Sequence, residues 1–543
     1  MAIQGGNLPR VDSSRFSMVP RPDVPRSTFV TTSGLKTTFD AGLLIPIHVD
    51  EVLPGDVHQG NVTIFARLAT PLFPIMDQMT METFFFFVPS RLLWANWKKM
   101  MGERTNPTDS ISYTVPTTQS PGSGFAVQSI FDYMGLPTVG QISGGQQVEV
   151  NVMPLRAYNM IFNEWFRDQN LQNTIIQNTG DGPDSYLDFN LKRRNKKHDY
   201  FTSALPWPLK GGVEVGLPIG GIAPVRGIAL PNGTAANAGS PPNSYDSTGQ
   251  QATGWGGHRE GNFFWMQTTN AGTFQSPNVY VDLSTATGAT INALRLAVQT
   301  QRLLERDARS GTRYTELLQS HFGVTPEDTR LQRPEYIGGG KADIQTQAIP
   351  QTSATGLTGG TSPLGALGAA ATATDQHSFS YNATEHGYII GLVHATAEIS
   401  YQQGLHKMWT RQTRYDFYWP VFAHLGEQAI LSQELYVTGE NARDKDVFGY
   451  QERWAEYRHR PSRITGLFKS TSAGNIDPWH LAQRFTAQPL LNDAFIQDTP
   501  PLARVLAAGT AANGLQILFD SVFKIKTTRA MPMFSVPGML DRF

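Results

Sequence analysis

Short stretches in which apolar and polar residues alternate dominate the chain, and they predict β-strands. Successive strand side chains point to opposite faces, so alternation indicates a strand buried on one face, and a continuous apolar run indicates burial on both. The alternation over 79–84 passes into the phenylalanine run over 84–88, which predicts a strand covered first on one face and then on two. The other best strand candidates are 43–49, 62–68, 388–395 and 516–525.

Helical spacing of apolar residues is confined to three stretches. The first is short, covers 92–97 and has Ser90 as its N-cap. The second covers 154–168, with a proline at its first turn. The third covers 289–309 and ends at Gly311. Interrupted strands with few helices predict an all-β fold, a jelly roll whose long inter-strand insertions carry the helices.

Three segments depart from the strand pattern. Residues 1–35 are predicted to be an extended arm, because four prolines exclude a regular helix and apolar residues are few. Residues 211–257 hold 12 glycines but only three charged residues, interleaved with Val, Ile and Leu. This predicts short strands stabilised by neighbours, including other copies of the chain. The Gly/Ala/Thr-rich tract 353–374 is predicted to be a mobile loop.

These departures divide the chain into five predicted parts. They are an N-terminal arm (1–35), jelly-roll strands with helical insertions (36–208), a surface insertion (209–285), a helix with loops and the remaining jelly-roll strands (286–530), and a proline-fixed C-terminal arm (531–543).

Composition favours a chain that buries surface against partners. Charged residues make up only 16% of the 543 residues, below the roughly 25% of an average soluble domain. The absence of cysteine excludes disulfides, thiolate metal sites and cysteine nucleophiles. The N-terminus lacks a signal-peptide pattern, and the longest apolar run is too short to span a bilayer. We therefore expect a soluble product that is not exported through a cleaved signal.

Motifs for catalysis are missing. Lys341 follows three glycines, but Ala342 and Glu335 stand where a nucleotide-binding loop needs a hydroxyl residue and a glycine. Neither a Gly-x-Ser-x-Gly nor a His-Glu-x-x-His motif occurs. The histidines nearest one another in sequence are interpreted as strand and loop residues rather than ligands: His377, His386 and His394. The sequence predicts no enzymatic activity, no cofactor and no metal site.

Positive charge is concentrated in two places, although Lys plus Arg (44) nearly equals Asp plus Glu (45). Spaced arginines on the N-terminal arm can contact phosphates, and aromatic rings beside them can stack on bases. The DNA-facing candidates are Arg10, Arg15, Phe16, Arg21, Arg26 and Phe29. The second place is a basic cluster that is either a phosphate contact or an inter-subunit or solvated patch, with Asp188 and Asp199 as candidate ion-pair partners. It comprises Lys192, Arg193, Arg194, Lys196 and Lys197.

Several separated stretches together resemble the major capsid proteins of microviruses, and most closely their gokushovirus branch. The most informative is 304–340, which reads LERDARSGTRYTELLQSHFGVTPEDTRLQRPEYIGGG, and a second is HDYFTSALPWP at 198–208. The other stretches are 36–42, 49–56, 167–171, 413–428, 448–457 and 537–543. Their order and spread cover nearly the whole chain.

The resemblance implies a single eight-stranded viral jelly roll. It also implies a T=1 icosahedral shell built from pentamers of this chain, assembled in the cytoplasm of a host bacterium and found in the virion. The expected partners are a circular single-stranded DNA genome, a small basic DNA-packaging protein and a host-surface receptor, without membrane insertion. A near-neutral chain agrees with a separate basic packaging protein, because the genome's charge must be neutralised by something else.

Two sets of residues acquire expected roles from the resemblance. The insertion 209–285 lies where gokushoviruses carry a protrusion at the three-fold axes that contributes to host attachment. The protrusion candidates are Val213, Val215, Leu217, Ile219, Ile222, Val225 and Trp255. The inter-subunit candidates, for which core packing is an equally weighted alternative, are Arg414, Tyr415, Tyr418, Trp419, Trp454 and Tyr457.

One other class of protein remains open from the sequence. A secreted or phage-tail β-protein that binds or cleaves glycans would share the aromatic residues and the β pattern. Uniform small icosahedra in electron micrographs would favour the capsid subunit, whereas a persistent monomer that hydrolyses polysaccharide would favour the alternative.

Overall fold

The computed structural model describes residues 25–212, 215–216, 290–350, 367–507 and 514–534, and the backbone of short strands between 225 and 281. The chain forms two compact units: Met1–Pro208 with Thr312–Phe543, and Leu209–Gly311. In the described part of the chain, every helix is too short or too polar to cross a lipid bilayer.

The strands of the first unit are β1 (Arg26–Phe39), β2 (Ile45–Val52), β3 (Val57–Leu68), β4 (Met79–Pro89), β5 (Thr117–Gln119), β6 (Glu149–Asn151), β14 (Glu335–Pro350), β15 (Leu367–Asn382), β16 (Gly387–Ala397), β17 (Glu427–Leu431), β18 (Val447–Glu452) and β19 (Ile517–Ala530). Those of the second unit are β7 (Val225–Arg226), β8 (Ile228–Ala229), β9 (Asn243–Ser244), β10 (Gly254–Glu260), β11 (Phe263–Asn270), β12 (Thr273–Gln275) and β13 (Tyr280–Val281).

The α-helices are α1 (Ser90–Leu93), α2 (Trp97–Met100), α3 (Ile130–Tyr133), α4 (Met153–Ile161), α5 (Ile291–Ser310), α6 (Tyr314–Phe322), α7 (Asn441–Asp444) and α8 (Asp493–Ile496). A π-helical turn, Phe162–Phe166, extends α4. The 3-10 turns are Tyr186–Asp188, Lys407–Thr410, Arg414–Asp416, Pro420–Phe422, Ser432–Glu434, Ala455–Tyr457, Gly466–Phe468, Asp477–Trp479 and Leu502–Arg504.

The centre of the first unit is an eight-stranded antiparallel sheet that curls into a nearly closed barrel. Its strand order is β1-β19-β3-β15-β14-β4-β16-β2, so strands far apart in the chain lie side by side. Long connections carry the helices and short sheets between barrel strands. This is the architecture of a jelly roll with insertions, and the predicted fold class is confirmed.

Two apolar cores lie on opposite faces of the barrel wall. In β3, Val62, Ile64 and Ala66 alternate with exposed residues and point into the barrel. In β4, Phe85 and Phe87 join that inner core, while Phe86 joins an outer core. Helix α4 supplies much of the outer core. The predicted burial of the phenylalanine run on both faces is confirmed, but the predicted one-sided start of the strand is wrong, because Met79, Thr80 and Met81 are all buried. Each fully buried phenylalanine contributes about 1.5–3 kcal/mol.

Glycines in the barrel wall make room for the rings of the inner core. A Cβ added to Gly60 would lie 2.2 Å from the ring of Phe379, and one added to Gly391 would lie 2.6 Å from the ring of Phe85. The rings of Phe85 and Phe379 stack at a centroid distance of 4.4 Å. Glycine in a strand interior therefore indicates close approach of a ring to the backbone.

Two predicted segments are wrong in part. Strand β1 begins at Arg26, so residues 26–35 belong to the barrel rather than to an arm, because they pair along their whole length with β19. The tract 353–374 is not all loop, since strand β15 begins at Leu367. Its small residues Ala371 and Ala373 are buried in the barrel. Residues 1–24, 351–366 and 535–543 lie outside the described residues.

The second and third helix predictions are largely confirmed, whereas the first is wrong for half of 92–97, because residues 94–96 lie between α1 and α2 and are not helical. Helix α5 begins after Thr290, whose hydroxyl accepts a hydrogen bond from the Ala293 N–H at 3.1 Å, and ends at Gly311. Helix α4 covers the first part of the second predicted helix. Ser90 is the first residue of α1 rather than its N-cap, because Pro89 occupies the cap position with extended backbone angles.

The second unit, Leu209–Gly311, begins at the residue where the insertion was predicted to begin, but it extends beyond 285 to include α5. Its backbone contains a three-stranded sheet, β10-β11-β12, and the two-stranded pairs β13-β7 and β8-β9. Short strands were expected for 211–257, and β7, β8 and β9 are strands of this kind.

Buried histidines in the barrel predict that its stability falls in mild acid. Burial lowers the pKa of His48 to about 4, although Asp50 acts in the opposite direction. Burial also lowers the pKa values of His58, His377 and His394. The unfolded chain takes up protons as pH falls below about 6.5, but the folded barrel does not, so stability present above pH 6.5 is lost as pH falls towards 4.

We expect thermal midpoints of the purified chain to fall between pH 6.5 and 5, a window above the ordinary pKa of carboxylates. The variant His48→Gln should show a smaller fall, and the exposed His424→Gln should match the unmodified chain. Equal midpoints at pH 6.5 and 5 would contradict this prediction.

Candidate assembly and nucleic-acid surfaces

Most of the charge of the basic cluster 192–197 is used in contacts within the chain. The Arg193 guanidinium donates to the carbonyl oxygens of Ala41 (3.2 Å) and Asp498 (3.3 Å). Arg194 is bonded to Glu82 and covers the ring of Phe84 at 4.9 Å. These contacts connect the cluster to β4 and to the chain before β2.

Burial also affects the lysines of the cluster. Lys196 is buried beside the ring of Phe495, with its ammonium 4.5 Å from the ring centroid, and burial lowers its pKa to about 8. Lys197 is exposed and lies 3.5 Å from Glu82. Burial opposes ionisation of Glu82, but Arg194 and Lys197 outweigh burial and lower the pKa of this carboxyl.

The interpretation of 192–197 as a solvated patch is therefore wrong for Arg193, Arg194 and Lys196. Arg193 and Arg194 pair with backbone carbonyls and with Glu82, which is far away in sequence, rather than with the predicted Asp188 and Asp199. The predicted Asp199 does act on Lys196, because Asp498 and Asp199 both raise the pKa of this lysine against the larger effect of burial. Lys192 is half-buried, and burial lowers its pKa. A phosphate or inter-subunit contact stays a prediction that rests chiefly on Lys197.

The DNA-facing candidates of the N-terminal segment divide into two groups. Arg10, Arg15, Phe16 and Arg21 lie outside the described residues. Arg26 and Phe29 lie in β1, where Arg26 pairs with Ala530 of β19. The Arg26 guanidinium is bonded to the Gly55 carbonyl oxygen, so this residue is part of the barrel rather than of a flexible arm. A DNA-facing role for the group stays a prediction.

The segment 414–421 forms an exposed aromatic surface, here defined as Tyr415, Phe417, Tyr418, Trp419 and Val421. The Arg414 guanidinium lies 5.0 Å from the Trp419 ring centroid, and the Trp419 indole donates to the Arg414 carbonyl oxygen at 3.1 Å. Val421 is 81% exposed. An apolar patch of this kind on a folded surface is typical of a protein–protein contact.

The remaining inter-subunit candidates lie beneath and beside this surface. Trp454 is only 6% exposed, and its indole donates to the Phe422 carbonyl oxygen at 3.0 Å, so its packing is internal. Tyr457 is half-exposed, and its ring is covered by Arg411 at 4.3 Å. The core-packing alternative thus fits Trp454, while the exposed residues retain the predicted inter-subunit role.

A cavity of about 460 Å³ lies next to Tyr457, and the sequence interpretation missed it. Glu434 and Glu456 at this cavity are buried, and Arg411 donates to Glu456 at 2.8 Å. Burial raises the pKa of Glu434. The sequence indicated this cavity only through charged residues within an aromatic-rich stretch. The residues that pair with them lie in separate segments of the chain.

The protrusion candidates belong to the second unit. The side chains of Val213, Leu217, Ile219, Ile222, Val225 and Trp255 lie outside the described residues, and Val215 is half-buried. The backbone places Val225 in β7, paired with β13, and Trp255 in β10, opposite Thr268 of β11. Within the described residues there is also no group of three or more histidine, aspartate or glutamate side chains placed to hold a metal ion.

Comparison with known proteins identifies the family. The family model described as "Capsid protein (F protein)" matches residues 17–539. The capsid protein VP1 of Bdellovibrio phage phiMH2K is 45% identical, over 98% of this chain and 99% of its own. The VP1 of Chlamydia phage 1 is 40% identical over 99% of each chain, and that of Spiroplasma virus 4 is 33% identical over 96% and 97%. This chain is therefore a member of the F-type capsid proteins of the Microviridae, in the gokushovirus-like group, and its role in the virion is structural.

Proposed function

We propose that this capsid protein assembles through pentamers into a T=1 icosahedral shell around a circular single-stranded DNA genome. The observation that carries the proposal is the match of 96% or more of the chain to three phage capsid proteins, together with a jelly-roll barrel. The exposed aromatic surface supplies a contact that a lone subunit leaves open to water.

The charge balance supports neutralisation of the genome mainly by a second protein rather than by this chain. The net charge of the whole chain is −1, and the internal pairing of Arg193 and Arg194 leaves the basic cluster with little free positive charge. A genome must then be neutralised mainly by a separate small basic packaging protein, with the arginines of the N-terminal segment as additional contacts. Assembly in the cytoplasm of a bacterial host follows from the same proposal.

The second unit is proposed to form the three-fold protrusion that contributes to attachment to a receptor on the bacterial surface. Its support is that Leu209–Gly311 is compact by itself and contains several short strands in addition to α5. Short strands in a glycine-rich segment can be completed by equivalent strands of neighbouring copies around a symmetry axis. Three copies would then share one protrusion.

The assembly contact can be tested by placing a charge on the aromatic surface. Val421→Asp is expected to reduce the yield of particles at least about tenfold without unfolding the subunit, because an unpaired carboxylate would be desolvated at every copy of the contact. Val324→Asp, at an exposed valine that is not one of the residues of this surface, is the matched control and should assemble normally. Yields are read from sedimentation and electron microscopy.

The same micrographs test the remaining parts of the proposal. A reconstruction should show T=1 symmetry with protrusions at the three-fold axes, and nuclease-resistant DNA extracted from particles should be circular and single-stranded. Particles of another symmetry, or a protein that stays monomeric at high concentration, would contradict the shell. Normal particle yield from Val421→Asp would remove the aromatic surface from the contact.

A further inference from the structure

The lining of the cavity beside Tyr457 combines aromatic side chains with several positively charged ones. The cavity has a volume of about 460 Å³, within the range of sites that hold small organic ligands. Its aromatic lining includes Phe201, Tyr401 and Trp409, and Trp409 is 69% exposed. An exposed indole at the side of a cavity leaves a ring face free for stacking.

The acidic residues at this cavity are neutralised by cations within the same unit. Glu434 accepts a hydrogen bond from the Tyr200 hydroxyl at 3.1 Å and lies 3.6 Å from the Lys407 ammonium. Glu456 accepts hydrogen bonds from Arg411 at 2.8 Å and from Gln428 at 2.6 Å. Two cations therefore balance two carboxyl groups, and this part of the lining carries little net charge.

Three further cations line the same cavity without such partners. Arg460, Arg463 and Lys469 are exposed, and among the residues that the structure describes none has an acidic side chain within salt-bridge distance. Burial first, and then the charges of Arg411, Arg460 and Arg463, lower the pKa of His406, another lining residue. The positive charge of these arginines therefore acts on a side chain that lines the cavity.

A buried donor in the lining also lacks an acceptor. The Nε atom of Arg411 is buried and has no hydrogen-bond partner among the described residues, although its terminal nitrogen is bonded to Glu456. Unsatisfied buried donors are uncommon and cost free energy. A ligand acceptor that reached the Nε atom of Arg411 would remove that cost.

We propose that this cavity binds a nucleotide of single-stranded DNA, with the base stacked on Trp409 and the phosphate held by Arg460, Arg463 and Lys469. Stacking on an aromatic ring beside arginines is how single strands are bound without sequence readout. A basic packaging peptide is the less suitable occupant, because the three surplus cations would repel it. The inference rests on the proposed single-stranded genome and adds a binding site on the barrel-containing unit.

The test uses the full-length purified protein and a short fluorescent oligodeoxythymidine, with binding followed by fluorescence anisotropy at several salt concentrations. Trp409→Ala should weaken binding about fivefold or more, which is the lower end of the effect of removing one stacking ring. Arg460→Gln/Arg463→Gln should weaken binding and reduce the slope of log K against log salt by about 0.7 for each phosphate that the variant no longer neutralises. The control Arg330→Gln/Arg443→Gln removes two exposed arginines that do not line the cavity and should change neither quantity by as much.

The outcomes separate this inference from the proposed function. If the unmodified chain binds the oligonucleotide and both cavity variants bind equally well with an unchanged salt slope, the cavity is not a DNA site, while the shell proposal stands. If cavity variants lose affinity for a lysine-rich peptide instead, the occupant is a basic peptide and the inference is overturned. If particles contain no single-stranded DNA, the proposed genome fails and the inference fails with it.

Discussion

Replacing Asp184 with asparagine is expected to lower the free energy of unfolding of the subunit by about 3–5 kcal/mol. Asp184 and Arg156 form a two-pronged ion pair in which both N–H···O distances are 2.8 Å and both side chains are 1% exposed. Removal of the carboxylate charge leaves the guanidinium desolvated without a counter-ion. The loss of stability comes from the buried guanidinium charge that has no counter-ion, rather than from the loss of one hydrogen bond.

The two residues of the ion pair also form hydrogen bonds with several separate segments of the chain. Arg156 lies on α4 and donates to the Leu93 carbonyl oxygen of α1 at 3.0 Å. Asp184 accepts from the Asn178 amide at 2.6 Å, and its backbone carbonyl accepts from the Thr118 hydroxyl at 2.9 Å. The helices that pack on β4 and β16 are thus held in place by polar contacts as well as by the outer apolar core.

Urea unfolding of the dissociated subunit, followed by tryptophan fluorescence, measures the effect. Arg443→Gln, which breaks an exposed ion pair with Glu440, is the matched control and should unfold at nearly the same urea concentration as the unmodified chain. The double variant Arg156→Met/Asp184→Leu should be less destabilised than Asp184→Asn, because no buried charge remains. Equal stability of Asp184→Asn and the unmodified chain would show that the pair contributes nothing.

Much of the barrel was predictable because local periodicity and burial agree there. The phenylalanine run of β4 is buried on both faces, as its continuous apolar pattern indicates, and β16, which is apolar except for His394 and Thr396, is also buried on both faces. Helix α5 has both a side-chain N-cap and a glycine stop within its own sequence. Each of these signals lies inside the element that it predicts.

The failures share the opposite property, since their determinants lie far away in the chain. Strand β1 follows a proline-rich segment, and its partner β19 is near the other end of the chain, with Arg26 opposite Ala530. The start of β15 is rich in alanine and glycine, so its alternation carries little hydrophobic signal until Ala371 and Ala373 meet the barrel interior. Sequence-local patterns cannot report such pairings.

The candidate sites show the same division. A run of basic residues at 192–197 is equally compatible with a free patch and with internal pairing, and only the fold brings Glu82 to it. The exposed aromatic surface retains the role given to Tyr415, Tyr418 and Trp419, whereas Trp454 is drawn inside. The cavity collects Tyr200, the 401–411 segment and the 456–469 segment, so no single stretch could have revealed it.

The glycines that close the stretch 304–340 lie in the barrel wall, and Gly339→Ala is expected to destabilise the barrel by about 1–3 kcal/mol or more. Strand β14 lies between β4 and β15. A Cβ at Gly339 would lie 2.1 Å from the Thr83 carbonyl oxygen of β4. That oxygen is backbone, so it can move away only if β4 separates from β14.

Gly144→Ala is the matched control for Gly339→Ala, because a Cβ at Gly144 meets no atom within 4 Å and the residue lies outside the barrel strands. The control should be as stable as the unmodified chain or slightly more stable, since alanine reduces the freedom of the unfolded chain. Soluble yield and urea unfolding distinguish the two variants. If Gly339→Ala matched Gly144→Ala in both measurements, β4 and β14 would tolerate a side chain between them, and the glycines would not be required for closure of the barrel.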